Sequence, residues 1–68
     1  MITEFEEGET YTNSKLDKDI MVLGIAKQSA VDVTLAILWV DRESKETTGG
    51  AELTVKKEDF KDWSAVEI

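Results

Sequence analysis

Between Val31 and Trp39 every second residue is a large apolar one: Val31, Val33, Leu35, Ile37 and Trp39, with Asp32 and Thr34 between the first three. Successive side chains leave a β-strand on opposite faces, so this set lines one face of a strand; a helix would scatter it around its circumference. The run therefore predicts a strand whose odd side faces a core, with Trp39 part of that core. Beyond Leu35 the even side turns apolar too, through Ala36, Leu38 and Val40, before Asp41-Arg42 ends the run.

The segment Ile20 to Ala26 is also apolar on both sides, short and rich in branched residues. It predicts a central strand in which Gly24 marks a bulge or sharp bend. Met21, Leu23 and Ile25 then project opposite to Ile20, Val22 and Ala26. Lys27 to Ala30 is a short polar connection, which makes the two strands an antiparallel hairpin. Glu43 to Gly50 reads as a polar hairpin loop whose closing glycines take positive φ. Ala51, Leu53 and Val55 then alternate with Glu52, Thr54 and Lys56 in a half-exposed strand. Glu58-Asp59 suits the start of a short helical or 3₁₀ turn, with Phe60 and Trp63 on one side of it. Val66 and Ile68 flank Glu67 in a last short strand. At the start, Phe5, Gly8 and Tyr11 predict a short strand, a turn and another extended piece, followed by an irregular loop from Asn13 to Asp19.

This order resembles the SH3-like small barrel, the architecture of SH3, Tudor and KOW-type domains, and the most specific part runs from Leu53 to Ile68. The resemblance implies an all-β, five-stranded small barrel with one short 3₁₀ or helical turn before the last strand. The motifs of those families are not matched: no ALYDY-like pair of aromatics, too few aromatics for a Tudor-type cage, no basic loops of the KOW kind. In its short, acidic, cysteine-free make-up the chain is also similar to small accessory proteins of bacteriophages.

Length and composition limit the function. A chain of 68 residues holds one domain, read as residues 1–68. A single core of this size rarely supplies more than about 3–5 kcal/mol. With no cysteine there is no disulfide and no thiolate site, and with no histidine there is no imidazole base or ligand. Asp17-Lys18-Asp19 lacks the glycine and distal glutamate of an EF-hand. Thr47-Thr48-Gly49-Gly50 lacks the Lys-Ser/Thr of a P-loop. The paired carboxylates Glu6-Glu7 and Glu58-Asp59 read as solvated surface. No enzyme, cofactor or metal site is expected. A net charge of −7 opposes direct binding to nucleic acid or to an anionic membrane. The first residues lack the basic start and apolar run of a signal peptide, and Val31 to Val40 is too short to span a bilayer. The expectation is a soluble cytoplasmic protein.

Two readings of function follow. The first is a non-enzymatic protein-interaction or assembly module that self-associates, because two-faced apolar strands leave a second surface to bury. Met21, Leu23, Leu38 and Val40 are its self-association residues. Phe60 and Trp63 either cap one end of the barrel or anchor a protein partner, and Tyr11, beside a long loop, is the expected exposed partner contact. The alternative is an acidic mimic of nucleic acid that occupies a DNA- or RNA-binding site on another protein. It gains if Glu4, Glu6, Glu7 and Glu9 share one face with Glu58, Asp59 and Asp62, and loses if lysines intersperse them.

Overall fold

The computed structural model describes residues 2–66. Five strands form one antiparallel sheet: β1 (Thr10–Asn13), β2 (Asp19–Gln28), β3 (Asp32–Val40), β4 (Thr47–Lys56) and β5 (Trp63–Ala65). A 3₁₀ turn, Lys57–Asp62, separates β4 from β5. The spatial order is β4-β3-β2-β1-β5, so β4 and β5 are the two edges and the barrel is not closed. The all-β class, the five strands, the β2–β3 hairpin and the turn before the last strand are as expected. No helix among the described residues is long and apolar enough to cross a membrane.

The core lies where the odd side of β3 meets the even side of β2. Ile20, Val22, Leu35 and Ile37 are fully buried. Val33, Val55, Tyr11, Trp63 and Phe5 complete the cluster, with Trp39 half-buried against it. Phe5 is the hub of an aromatic group at one end. It packs edge-on against Tyr11 at 4.8 Å, Phe60 at 5.0 Å and Trp63 at 5.5 Å between ring centroids. This is the favoured geometry for ring quadrupoles. Phe5 is not in a strand. Its segment folds back through a turn at Gly8, whose φ of +84° suits a residue without Cβ.

The turns explain most departures from expectation. At the β2–β3 turn the Ser29 hydroxyl accepts from the N–H groups of Val31 and Asp32 and bonds the Asp32 carboxylate. That side-chain turn places Val31 at the tip, 68% exposed, instead of in the core. At the β3–β4 turn the Asp41 carboxylate accepts from the N–H groups of Glu43 and Ser44. The backbone bonds from Ser44 and Glu43 hold its carboxyl below the ordinary 3.8. Lys45 takes the left-handed φ of 63°. The loop therefore closes by Glu46, and Gly49 and Gly50 lie inside β4 without positive φ. Asn13 and Asp19 belong to β1 and β2, which shortens the expected irregular loop. The last strand is Trp63–Ala65; Val66 only donates its N–H to the Thr10 carbonyl. Glu67 and Ile68, expected in that strand, lie outside the described residues.

The Gly24 bulge is present, as a register shift between Val22 and Gly24, and a second shift follows between Ile25 and Lys27. Each extra residue turns the alternation over. Ile25 thereby stands across from the core residue Leu35, not with Met21, and Ala26 is exposed instead of sharing the side of Ile20 and Val22.

Candidate functional site

Among the described residues all five strands belong to one sheet, so no second strand layer covers its other face. Across β1, β2, β3 and β4 the register sets Thr10 beside Met21, Met21 beside Leu38 and Leu38 beside Gly50. Met21 and Leu38 are half-buried. Gly50 has no side chain to cover Leu38, whose Cδ2 lies 3.6 Å from where a Cβ would stand. Leu23, the residue looped out by the first bulge, is 49% exposed. The outer face thus carries the adjacent apolar pair Met21 and Leu38, and Leu23 is exposed where the bulge interrupts β2.

One end of that face is sealed by the chain itself. Val40 is buried, against the expectation that it stands free for a contact. It borders a cleft of about 240 Å³ with Met21, Asp19, Lys45, Thr47 and Val66. The short β3–β4 loop carries Lys45 over this end, which is why Val40 differs from Leu38 two residues earlier. Asp19 is also buried here. The Arg42 Nε donates to its Oδ1 at 2.7 Å, and the Arg42 Nη2 donates to the Asn13 carbonyl at 2.9 Å. Burial by itself raises the Asp19 carboxyl, but hydrogen bonds from Arg42 and Thr12 and the charges of Arg42 and Lys45 together bring it below 3.8.

The partner-binding set is placed differently from expectation. Tyr11 is buried, not exposed, because the Phe5 segment folds over it and its hydroxyl accepts from the Glu6 N–H at 2.7 Å. Burial, with the nearby Glu6, Glu9 and Glu4 charges, raises its pKa above 10.0 even though the Glu6 bond opposes this. Trp63 is buried too, since β5 starts directly after the 3₁₀ turn and aims it inward. Neither presents an anchor. Phe60 is half-buried and borders an open groove of about 500 Å³ with Phe5, Ile25 and Val33. Phe5 and Ile25 are residues of this groove that the sequence did not single out. Tyr11→Phe is expected to cost about 0.5–1.5 kcal/mol, one hydrogen bond's worth, in urea unfolding. A loss of partner binding with unchanged stability would instead make Tyr11 a contact residue.

Among the described residues no three acidic side chains are grouped to hold a metal ion. Glu4 and Glu58 do share the Phe60 groove, and Lys57 and Lys61 line it with them. Asp62 is engaged by Lys15 at 3.1 Å. No known protein family, curated protein or solved structure matches this chain.

Proposed function

We propose that the chain is a non-enzymatic, SH3-like interaction module that assembles with copies of itself through the outer face of its sheet. The observation that carries this is the apolar pair Met21 and Leu38 with half-exposed Leu23, which the fold leaves outside its core. The strand order and the 3₁₀ turn between the last two strands support the SH3-like assignment. A domain this small gains stability by burying further surface on association. Its net charge of −7 resists unspecific aggregation, and the commonest closed assembly of identical chains is a C2 dimer. The nucleic-acid mimic is disfavoured because Lys57 and Lys61 interrupt the acidic surface where Glu4 and Glu58 meet.

Sedimentation equilibrium from micromolar to submillimolar concentration tests the reading. The wild type is expected to exceed the mass of one chain. Leu23→Glu is expected to weaken association roughly tenfold or more, because it buries an unpaired carboxylate at the contact. Leu23 is half-exposed in the single chain, so this variant keeps its fold. One-chain mass at every concentration, or a Leu23→Glu variant that associates like the wild type, overturns the proposal.

A further inference from the structure

The outer face is not the one surface left open: β4 is an edge strand of ten residues, Thr47–Lys56, and among the described residues its far side pairs with no other strand. Exposed edges are templates for pairing, and proteins usually blunt them with proline, inward charges or shortness. β4 is long, has no proline, and carries only Glu52 and Lys56 as charges.

The direction of its free backbone groups follows from one hydrogen bond. The Lys57 N–H donates to the Val31 carbonyl at 2.8 Å. Antiparallel pairs alternate between bonded and non-bonded types, so Asp32–Lys56, the next pair of the β3–β4 register, is non-bonded. By the same alternation Val33–Val55 is bonded, Thr34–Thr54 non-bonded, Leu35–Leu53 bonded and Ala36–Glu52 non-bonded. The Thr34 and Thr54 hydroxyls lie 3.0 Å apart, which fits the closer side chains of a non-bonded pair. The N–H and C=O groups of Glu52, Thr54 and Lys56 therefore point away from β3, out of the sheet.

We propose that this edge pairs with the β4 edge of a second copy, antiparallel and centred on Thr54. The occupant rests on the reading of the chain as self-associating; the contact is separate from the outer face. In this register each Thr54 faces its mate, and Glu52 of each copy faces Lys56 of the other. The outward groups of all three residues are then used, giving about six backbone hydrogen bonds. Two crossed ion pairs flank the axis. Centring on Glu52 would oppose two carboxylates, and centring on Lys56 two ammonium groups, both unfavourable. On the inner side Leu53, half-buried in one chain, meets Val55 of the other.

The test is charge exchange read by sedimentation, with far-UV circular dichroism confirming the fold of each variant. Glu52→Lys and Lys56→Glu are each expected to weaken association about tenfold, since two opposite-charge pairs become like-charge pairs. The double variant restores the crossed pairs and is expected to return close to the wild type. Equal affinity in all four proteins, or no recovery in the double variant, overturns the edge contact. The outer-face reading is tested separately, by Leu23→Glu. A second measurement uses the absence of cysteine from the chain. Facing Cα atoms in a bonded pair lie about 5.5 Å apart, within reach of a disulfide. Thr54→Cys should cross-link under mild oxidation, while Thr48→Cys, far from its mate in this register, should not. Cross-linking at Thr48 as fast as at Thr54 overturns the register.

Discussion

Ile37→Ala is expected to leave most of the protein unfolded at room temperature. Ile37 has no exposed surface and sits in the middle of β3, between Val22 on β2 and Ala51 on β4. Both neighbouring strands form ladders with β3, so the sheet offers little freedom to collapse around a lost side chain. Truncating a buried isoleucine to alanine costs about 2–5 kcal/mol, from lost transfer energy and the cavity left behind. A core of this size supplies about 3–5 kcal/mol in all, so the cost is comparable with the whole stability. Urea unfolding of Ile37→Ala beside Val31→Ala is the measurement. Val31 is 68% exposed, and its variant should stay within about 0.5 kcal/mol of the wild type. An Ile37→Ala protein that unfolds at the wild-type midpoint would show that the odd face of β3 is not the core.

The contrast between those two residues marks how far the sequence is readable. Val31 and Ile37 belong to one alternating set, and period alone assigns them to one face. Their different fates come from Ser29, whose hydroxyl bonds end the strand just short of Val31. The same holds at the next turn. Two glycines are a strong turn signal, yet the Asp41 carboxylate closes the loop earlier and a lysine takes the left-handed position. Side-chain turns by Ser and Asp use residues that are common on any polar surface, so they leave a weaker mark than glycine. Gly24 was legible as a bulge. Its consequence was not: the bulge itself turns Ile25 to the side of Leu35, and a second shift between Ile25 and Lys27 leaves Ala26 as a further extra residue.

For the candidate site, the apolar second face was legible from Leu38 and Met21. Which of its members stay open was not. Val40 has the same period as Leu38, but the loop that follows it folds over its end of the face. Tyr11 was misplaced because its cover, Phe5, arrives by a fold-back that no periodicity announces. The outward groups of Glu52, Thr54 and Lys56 were invisible for another reason. Hydrogen-bond direction depends on register against β3, and an alternating sequence is the same in either bonding phase.

Arg42→Ala is expected to be the most costly substitution of a charged residue in the chain. Arg42 reaches back from the start of the β3–β4 loop to Asp19 at the start of β2, and also ties down the Asn13 carbonyl at the end of β1. Asp19 keeps only 5% of its side chain in water, whereas Arg42 keeps 36%. Solvent screens the arginine's attraction, so the pair itself is worth less than its short distance implies. The cost lies in the partner left behind. A buried carboxylate without its arginine retains the Thr12 bond but loses its strongest donor, at about 1–3 kcal/mol. Lys15→Ala, which breaks an ion pair with Lys15 72% exposed, should cost no more than about 1 kcal/mol. The pH dependence separates the Asp19 effect from mere loss of packing. The Asp19 carboxyl titrates below 3.8 in the folded chain, so folding favours its ionised form. Its contribution is complete above the ordinary value and fades as pH falls through the lowered folded value. The stability difference between wild type and Arg42→Ala should therefore be largest near neutrality and shrink through the acid range, first as the variant's Asp19, raised by burial without its arginine, takes up its proton, and until the wild type's lowered Asp19 does so too. Taking the difference cancels the other carboxylates common to both proteins. A gap that stays constant from neutral to acid pH would assign the effect of Arg42 to its bonds with the β1 backbone, and not to the charge on Asp19.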